Sequence, residues 1–580
     1  MASLVFLLNI TSPPRLMDDV DAVQAQIARN MLTSKDWVTA RLDGVAYLEK
    51  APLIYWMMAV SYKILGVHDW AARLPLAFST VALCWITYRF GRWAFGEEAG
   101  LYAGVVLATS AGLFLFTRIL IPDATLTATI TGAIWAWMSL LEPEEQRPLR
   151  WSVMLGACLG TGLLLKGLIA VVFPVLAGVV YMALTRQLLS LKSWRRMTLG
   201  TAIVIASVNA VPWHVLATLH NPPYFAFSMQ SEAGKYRGFF WFYFFNEHLL
   251  RFLNLRYPRD YNTVPRLWFW LLNLVWMFPW AVYLSAISRF SFRPDSRAER
   301  ARLMVLCWIG VVMLFFTFST TQEYYSMPIY PALALLIGSA ISAGGRRVRM
   351  ATGILLVISA LLCVALTGLI ALVWRLPAVG NISTALTQHP ELYTLSMGHI
   401  RDLTLGAFAY LRLSLAIAAF AFGVIAVGIF RSKGNIKKVV FVIAAGMVLF
   451  FQAARIALVR FDSYLGSYPL AQSLEHGPPG QLIEADSYYA FSSVFFYTGR
   501  TALLLNGRNN NLEYGSYAPD APPVFIDDRE FVSIWTGAGR CYLLAYGTEM
   551  PRLEQLVGQS HLRVVTENAG NYLLTNYAIP

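Results

Sequence analysis

Tyr47-Leu48-Glu49-Lys50-Ala51-Pro52-Leu53 is the stretch where this chain stops being polar. Residues 11–50 upstream form a long polar stretch, and an apolar run with embedded polar residues occupies 52–66 downstream. Apolar segments of membrane-spanning length then recur to about residue 456, each closed by a polar loop. A carboxylate and an ammonium side by side at such a junction are costly in hydrocarbon, so they face water at the membrane edge or do work there. Only helices or closed barrels satisfy the backbone in lipid. The alternating strands of about ten residues that build a barrel do not occur before residue 460. The reading is therefore an all-α polytopic membrane protein, with the segment from Pro52 lying at or dipping into the interface.

Spanning segments are expected near 70–92, 99–117, 122–141, 151–166, 168–185, 198–219, 266–288, 302–319, 327–344, 351–374, 406–430 and 437–456. With the apolar residues 1–10, too short to span on their own, this makes about thirteen helices. That start carries no cleavable signal-peptide pattern: either its helix is short or the chain as given begins inside it. The net charge of +13 would point to nucleic acid in a soluble protein. Here the Lys and Arg residues collect in alternate loops (89–92, 147–150, 186–196, 289–302, 346–349 and 431–438), as topology requires, and no nucleic-acid partner is expected. That side is read as cytoplasmic. The loops 11–69, 118–123, 220–265, 320–326 and 375–405, and the tail after about 457, fall on the opposite side. Four of the five cysteines, Cys84, Cys158, Cys307 and Cys363, lie in apolar segments, so no disulfide framework or paired-cysteine metal site is available.

The chain thus divides into a membrane domain, 1–456, and an external domain, 457–580. In the latter, strand-like runs at 481–484, 502–505, 523–526, 541–546 and 562–566 alternate with helix-like ones such as 551–557, which predicts a small α/β domain without a catalytic motif. Asn509-Asn510-Asn511 reads as a turn.

Four polar clusters gather on the external side. Asp18, Asp19 and Asp21 open an amphipathic helix at 22–32, as helix caps or as carboxylates aimed into a cavity. Arg118 and Asp123 share a tight loop and either pair with each other or supply a second carboxylate at the membrane edge. Glu247, His248 and Arg251 stand at helical spacing. Glu49 and His248 are a plausible pair of metal ligands, although a zinc site would need a phosphate oxygen and a water besides; a plain hydrogen bond between them is the alternative. The fourth cluster, Thr320 to Pro328, holds Glu323, Tyr324 and Tyr325. Lys50 and Arg251 together offer what a phosphate needs, a point charge and a forked donor, and Tyr325 adds a neutral hydroxyl. Lys166, between two spans, is read as a snorkelling lysine.

Asp18-Asp19, Tyr47-Leu48-Glu49-Lys50-Ala51-Pro52-Leu53, Arg118 with Pro122-Asp123, Glu247-His248-x-x-Arg251-Phe252 and Tyr324-Tyr325-x-x-Pro328-x-Tyr330-Pro331 occur in an order that resembles the bacterial aminoarabinose transferases of lipid A. These belong, with the protein O-mannosyltransferases, to the polytopic lipid-donor (GT-C) glycosyltransferases. The resemblance implies an inverting transfer of 4-amino-4-deoxy-L-arabinose from undecaprenyl phosphate to lipid A phosphates at the periplasmic face of the inner membrane. It further implies a less negative outer membrane and resistance to polymyxin and other cationic peptides. It places the essential carboxylate in the first external loop, where this chain has Asp18-Asp19-Val20-Asp21 in place of the usual Asp-Glu; Asp19 is favoured, with Asp123 as a second. It puts the donor phosphate at Lys50, Arg251 and Tyr325, and a divalent metal, zinc, at Glu49 and His248. No nucleotide is required, membrane lipids are partners, and a monomer is expected. A mannosyltransferase of the same class, with a hydroxyl acceptor and a general base, is the nearest alternative. A lipid transporter is another, against which stands the lack of an internal repeat.

Overall fold

In the computed structural model, residues 1–11, 14–258, 264–387, 401–432 and 434–577 are described. The protein is a multi-pass membrane protein. Nine helices among the described residues are long and apolar enough to cross a bilayer: Asp69–Phe95, Asp123–Leu141, Pro148–Lys166, Leu199–His220, Arg297–Phe318, Glu323–Ala343, Arg346–Val373, Arg412–Arg431 and Ile436–Leu465. The remaining expected segments are shorter or broken. Ile169–Leu184 is a 16-residue helix, Glu97–Ala108 and Ala111–Phe116 divide one segment, and the first apolar run contributes only Ala2–Phe6. The segment expected at 266–288 is two helices, Arg266–Trp276 and Trp280–Arg289, bent by 101° across Met277-Phe278-Pro279. Proline supplies no N–H to continue the helix there.

Asp123–Leu141 is the axis of the bundle, with 94% of its apolar window buried, whereas Arg346–Val373 is 11% buried and faces outward. Small residues let neighbours approach backbone to backbone. A Cβ at Gly338 would lie 2.5 Å from the Ala103 nitrogen, so Glu97–Ala108 and the helix carrying Gly338 touch where any larger residue would part them.

The loops segregate as their charge implies. On the basic side Arg300 Nε binds Glu142 at 2.8 Å, and Arg297 binds Glu142 and Glu144, joining two loops. On the other side Leu120 N donates to Asp21 at 2.9 Å and Arg251 donates to the Tyr325 hydroxyl at 3.1 Å, joining four more.

The helix Ile436–Leu465 runs past the boundary expected at 457. Beyond it stands a six-stranded mixed sheet. Numbered with the short hairpin β1 (Arg41–Leu42) and β2 (Val45–Ala46), its strands are β3 (Gln481–Ala485), β4 (Leu503–Leu505), β5 (Phe525–Ile526), β6 (Cys541–Tyr546), β7 (Arg563–Asn568) and β8 (Asn571–Thr575), in the order β5-β4-β3-β6-β8-β7. The first four in that order are parallel, and β8 and β7 close the edge antiparallel. Strand β8 is not among those expected from the sequence. Nor is the three-asparagine run a turn: Asn510 opens the helix Asn510–Ser516.

Candidate active site

The first external loop, the segment around Trp241–Leu250 and the loop at 319–325 enclose a cavity of about 290 Å³. Its polar end is made by Glu49, Lys50, Lys166, Glu247, His248, Arg251 and Tyr325. Its other walls are apolar and aromatic, with Ile169, Val172, Leu249, Phe252, Phe315 and Phe316 among them. A cavity lined both by a charged cluster and by apolar walls suits an amphiphile with an anionic head.

Trp241–Leu250 is a π-helix, whose wider turn is a recurrent feature of functional sites. It places Glu247 and Arg251 on one flank, 3.1 Å apart, and Arg251 also reaches Glu49 at 3.8 Å. Arg256 Nε adds a second cation to Glu247 at 3.1 Å. Glu49 accepts from the Tyr47 hydroxyl at 2.7 Å. Burial pushes the Glu49 carboxyl up, but Lys50, Arg256 and Arg251 and the Tyr47 bond outweigh it and hold it at about 2. The Lys50 ammonium makes no hydrogen bond or ion pair with the described residues, so it is a cation in the cavity with its donors unspent.

Lys166 is not a snorkelling lysine. Its Nζ binds Asp123 Oδ1 at 2.7 Å and lies 4.6 Å from the centre of the Tyr325 ring. Arg118 therefore does not pair with Asp123, whose second oxygen is buried without a partner. Gly167 makes the fold-back possible: its φ of +68° is unfavourable for other residues, and a Cβ there would meet His248 Nε2 at 2.2 Å.

His248 is locked on both sides. Nδ1 faces the Tyr243 carbonyl and Nε2 accepts from the Leu168 amide at 3.1 Å. Burial pushes the imidazole down to about 4, so it is neutral at pH 7. Glu49 and His248 are both engaged by protein partners, so a zinc ion held by them would take Nε2 from the Leu168 amide.

The three aspartates of the first loop have different surroundings. Asp18 accepts from Ser467 Oγ at 2.6 Å and Ser493 N at 2.8 Å, tying the loop to the outer domain. Asp21 is buried in an ion pair with Arg73 at 2.6 Å. Asp19 precedes the helix Val20–Ser34 yet makes no side-chain cap, and its Oδ1 is buried without a partner. Burial, opposed by Lys50 and reinforced by Asp18 and Glu49, pushes its carboxyl up to about 6. Neither Asp19 nor Asp123 lines the cavity itself: Asp123 touches it through Lys166, and Asp19 lies within electrostatic reach of Lys50 and Glu49.

Two contributors come from the outer domain, where the sequence shows no motif. Asn511 donates to the Tyr489 hydroxyl at 3.2 Å, and Tyr489 donates to Tyr47 at 3.5 Å, a relay that ends on Glu49. The Asn511 oxygen accepts from Arg256 at 2.9 Å.

Residues 49–213 match a family model described as dolichyl-phosphate-mannose-protein mannosyltransferase. The chain is 27% identical over 418 residues to undecaprenyl phosphate-alpha-4-amino-4-deoxy-L-arabinose arabinosyl transferase 1 of Pseudomonas fluorescens (strain Pf0-1), covering 68% of this chain and 67% of that protein. It is 25% identical over 520 residues to the transferase so named from Pectobacterium carotovorum subsp. carotovorum (strain PC1), covering 87% and 84%. In structure it superposes on ArnT from Cupriavidus metallidurans bound to undecaprenyl phosphate with a TM-score of 0.78 and 21% identity, over 100% of this chain and 97% of that one. That likeness shows a shared fold.

Proposed function

We infer that this chain is a lipid-donor glycosyltransferase of the GT-C class that moves 4-amino-4-deoxy-L-arabinose from undecaprenyl phosphate to a phosphate of lipid A. The observation that carries this is the amphiphilic cavity, lined by the unspent Lys50, by Arg251 bonded to Tyr325, and by apolar walls. A polyprenyl phosphate has that shape and charge. The sugar and its carrier are those in the names of the relatives; the lipid A acceptor rests on the resemblance of the sequence motifs. The positive-inside rule applied to the basic loops supports a cavity on the non-cytoplasmic side, which in a bacterium with two membranes is the periplasmic face of the inner membrane.

The reaction is a single displacement at the anomeric carbon. An acceptor phosphate oxygen forms the new C–O bond while the bond to the donor phosphate breaks, and the electron pair leaves on the donor phosphate oxygen. Lys50 and Arg251 face that growing charge, and fixed charges aimed at a developing anion are usually the largest single catalytic contribution. The acceptor is already an anion, so no general base is needed. Asp19 and Asp123 face the sugar, where their charge stabilises the cationic character that builds as the leaving group departs. No step runs through a metal.

The test is transfer by the full chain in lipid, with the mass of lipid A read before and after addition of the loaded donor. The wild type adds one or two aminoarabinose masses. Lys50→Ala and Arg251→Ala each lose about 100-fold or more in turnover and bind undecaprenyl phosphate more weakly. Unmodified lipid A, with sugar appearing on a hydroxyl acceptor, would identify a mannosyltransferase-like enzyme. Unchanged affinity for undecaprenyl phosphate in both variants would remove the phosphate site.

A further inference from the structure

Arg118 stands apart among the arginines on the external side. Its Nε is buried without a partner, and its side chain makes no hydrogen bond or ion pair with the described residues. No carboxylate acts on its charge, and those of the neighbouring segments are engaged elsewhere. Asp123 is held by Lys166, Asp21 by Arg73 and the Leu120 amide, and Asp462 accepts from the Arg15 amide at 3.1 Å. The guanidinium lies 4.6 Å from the centre of the Phe114 ring, and Phe114 stacks on Phe451 at 4.2 Å. Arg455 is one helical turn beyond Phe451. Burial, then the like charges of Arg73 and Arg455, push the Arg118 group down to about 10, so it stays charged at neutral pH. Arg118 is half-buried and only Nε is closed off, so the guanidinium is a partly desolvated charge with no protein partner, which is unfavourable by itself. A bound anion removes that cost, and a guanidinium fork matches a phosphate in shape.

We propose that Arg118 anchors a second anion site, for the phosphate of the acceptor lipid. The proposal rests on the transfer inferred above. A displacement between two phosphates needs two anion sites with the sugar between them, and the first is already furnished by Lys50, Arg251 and Tyr325. Arg118 does not line that cavity. It sits at one end of the short loop whose other end is Asp123, and the loop amide of Leu120 binds Asp21, two residues from Asp19. Both carboxylates assigned to the sugar thus share a framework with this arginine. The acceptor oxygen arrives ionised, so Arg118 orients it and moves no proton.

Three probes are titrated against the full chain in nanodiscs: undecaprenyl phosphate, lipid A bearing its phosphates, and phosphatidylglycerol. Arg118→Gln weakens lipid A binding and raises the KM for lipid A tenfold or more, leaves undecaprenyl phosphate affinity within twofold, and Arg118→Lys recovers part of the loss. Lys50→Ala shows the opposite pattern. Equal affinity of Arg118→Gln and wild type for lipid A overturns the site. Competition by phosphatidylglycerol as strong as by lipid A overturns the acceptor assignment and leaves a general phospholipid phosphate site. Lipid A that binds through Arg118 without receiving sugar refutes the proposed function while the site stands. Should Arg118→Gln fail to fold, the wild type still decides: lipid A shields Arg118 from phenylglyoxal, read by mass spectrometry, and undecaprenyl phosphate does not. Labelling unchanged by lipid A overturns the site.

Discussion

Asp19 occupies φ 68° and ψ −138°, a conformation that residues with side chains avoid. Its neighbours hold it there: the amide donates to the Tyr489 carbonyl at 2.9 Å, and its own carbonyl accepts from Val23 N and Ser492 Oγ, each at 3.2 Å. Backbone strain kept by surrounding contacts, together with a buried carboxylate oxygen that bonds to nothing, is a pattern of working residues. Asp19→Asn is expected to fold with a near wild-type melting temperature and to lose about 100-fold or more in transfer. Wild-type transfer falls as pH drops through about 6, because protonation removes the charge facing the sugar; the Asn variant lacks that limb. Asp21→Asn behaves differently: it strands Arg73 and costs about 3–5 kcal/mol of stability, seen as a lowered melting temperature. Three aspartates within four positions look alike in sequence. What separates them lies far along the chain, in Ser467, Ser493 and Arg73, which is why the loop was legible and the individual carboxylate was not.

At the scale of elements, the turn at Lys166-Gly167-Leu168 does three things. It ends Pro148–Lys166, delivers the lysine to Asp123, and presents the Leu168 amide to His248. A Cβ at Gly167 would also fall 2.7 Å from the Tyr243 hydroxyl. Gly167→Ala should therefore push the π-helix outward, raise the donor KM several-fold and lower the melting temperature. A Lys166→Met variant, which spares the turn, should lower kcat instead; steady-state kinetics separates the two. A lysine closing an apolar helix is ordinarily a group reaching for water, and its actual partner lies 43 residues away, so local pattern misassigned it. The spans themselves were legible, since hydrophobic runs follow from the membrane alone. The 101° bend near Pro279 was not, because its apolar run continues unbroken through the kink.

At the scale of the molecule, the outer domain is part of the site's frame. Tyr489 and Asn511 reach Glu49 and Arg256, while a separate contact, Asn381 Nδ2 to Asn568 Oδ1 at 3.0 Å, fastens the domain elsewhere. Tyr489→Phe and Asn511→Ala are expected to raise the donor KM about three- to tenfold, in line with about 1 kcal/mol for one buried hydrogen bond. Asn568→Ala should lower stability alone. Equal kinetics in all three variants would make the domain a passive cover. Five of its six strands were legible from β-branched and apolar runs between turn residues. Its part in the site was not, because tyrosine and asparagine carry no motif and act only through where the fold puts them.

The cavity's head has a consequence for the spent carrier. Loaded donor is a phosphodiester with one negative charge; once the sugar has gone, the carrier keeps its tail and becomes a monoester, whose second ionisation near pH 6 gives it close to two. With the donor phosphate held as proposed, Lys50 and Arg251 would grip the discharged carrier more tightly than the loaded one, and the same apolar walls would hold both. Product departure, not sugar transfer, would then pace the cycle, and the enzyme would slow itself whenever carrier recycling falls behind, matching the rate of surface modification to the supply of fresh donor.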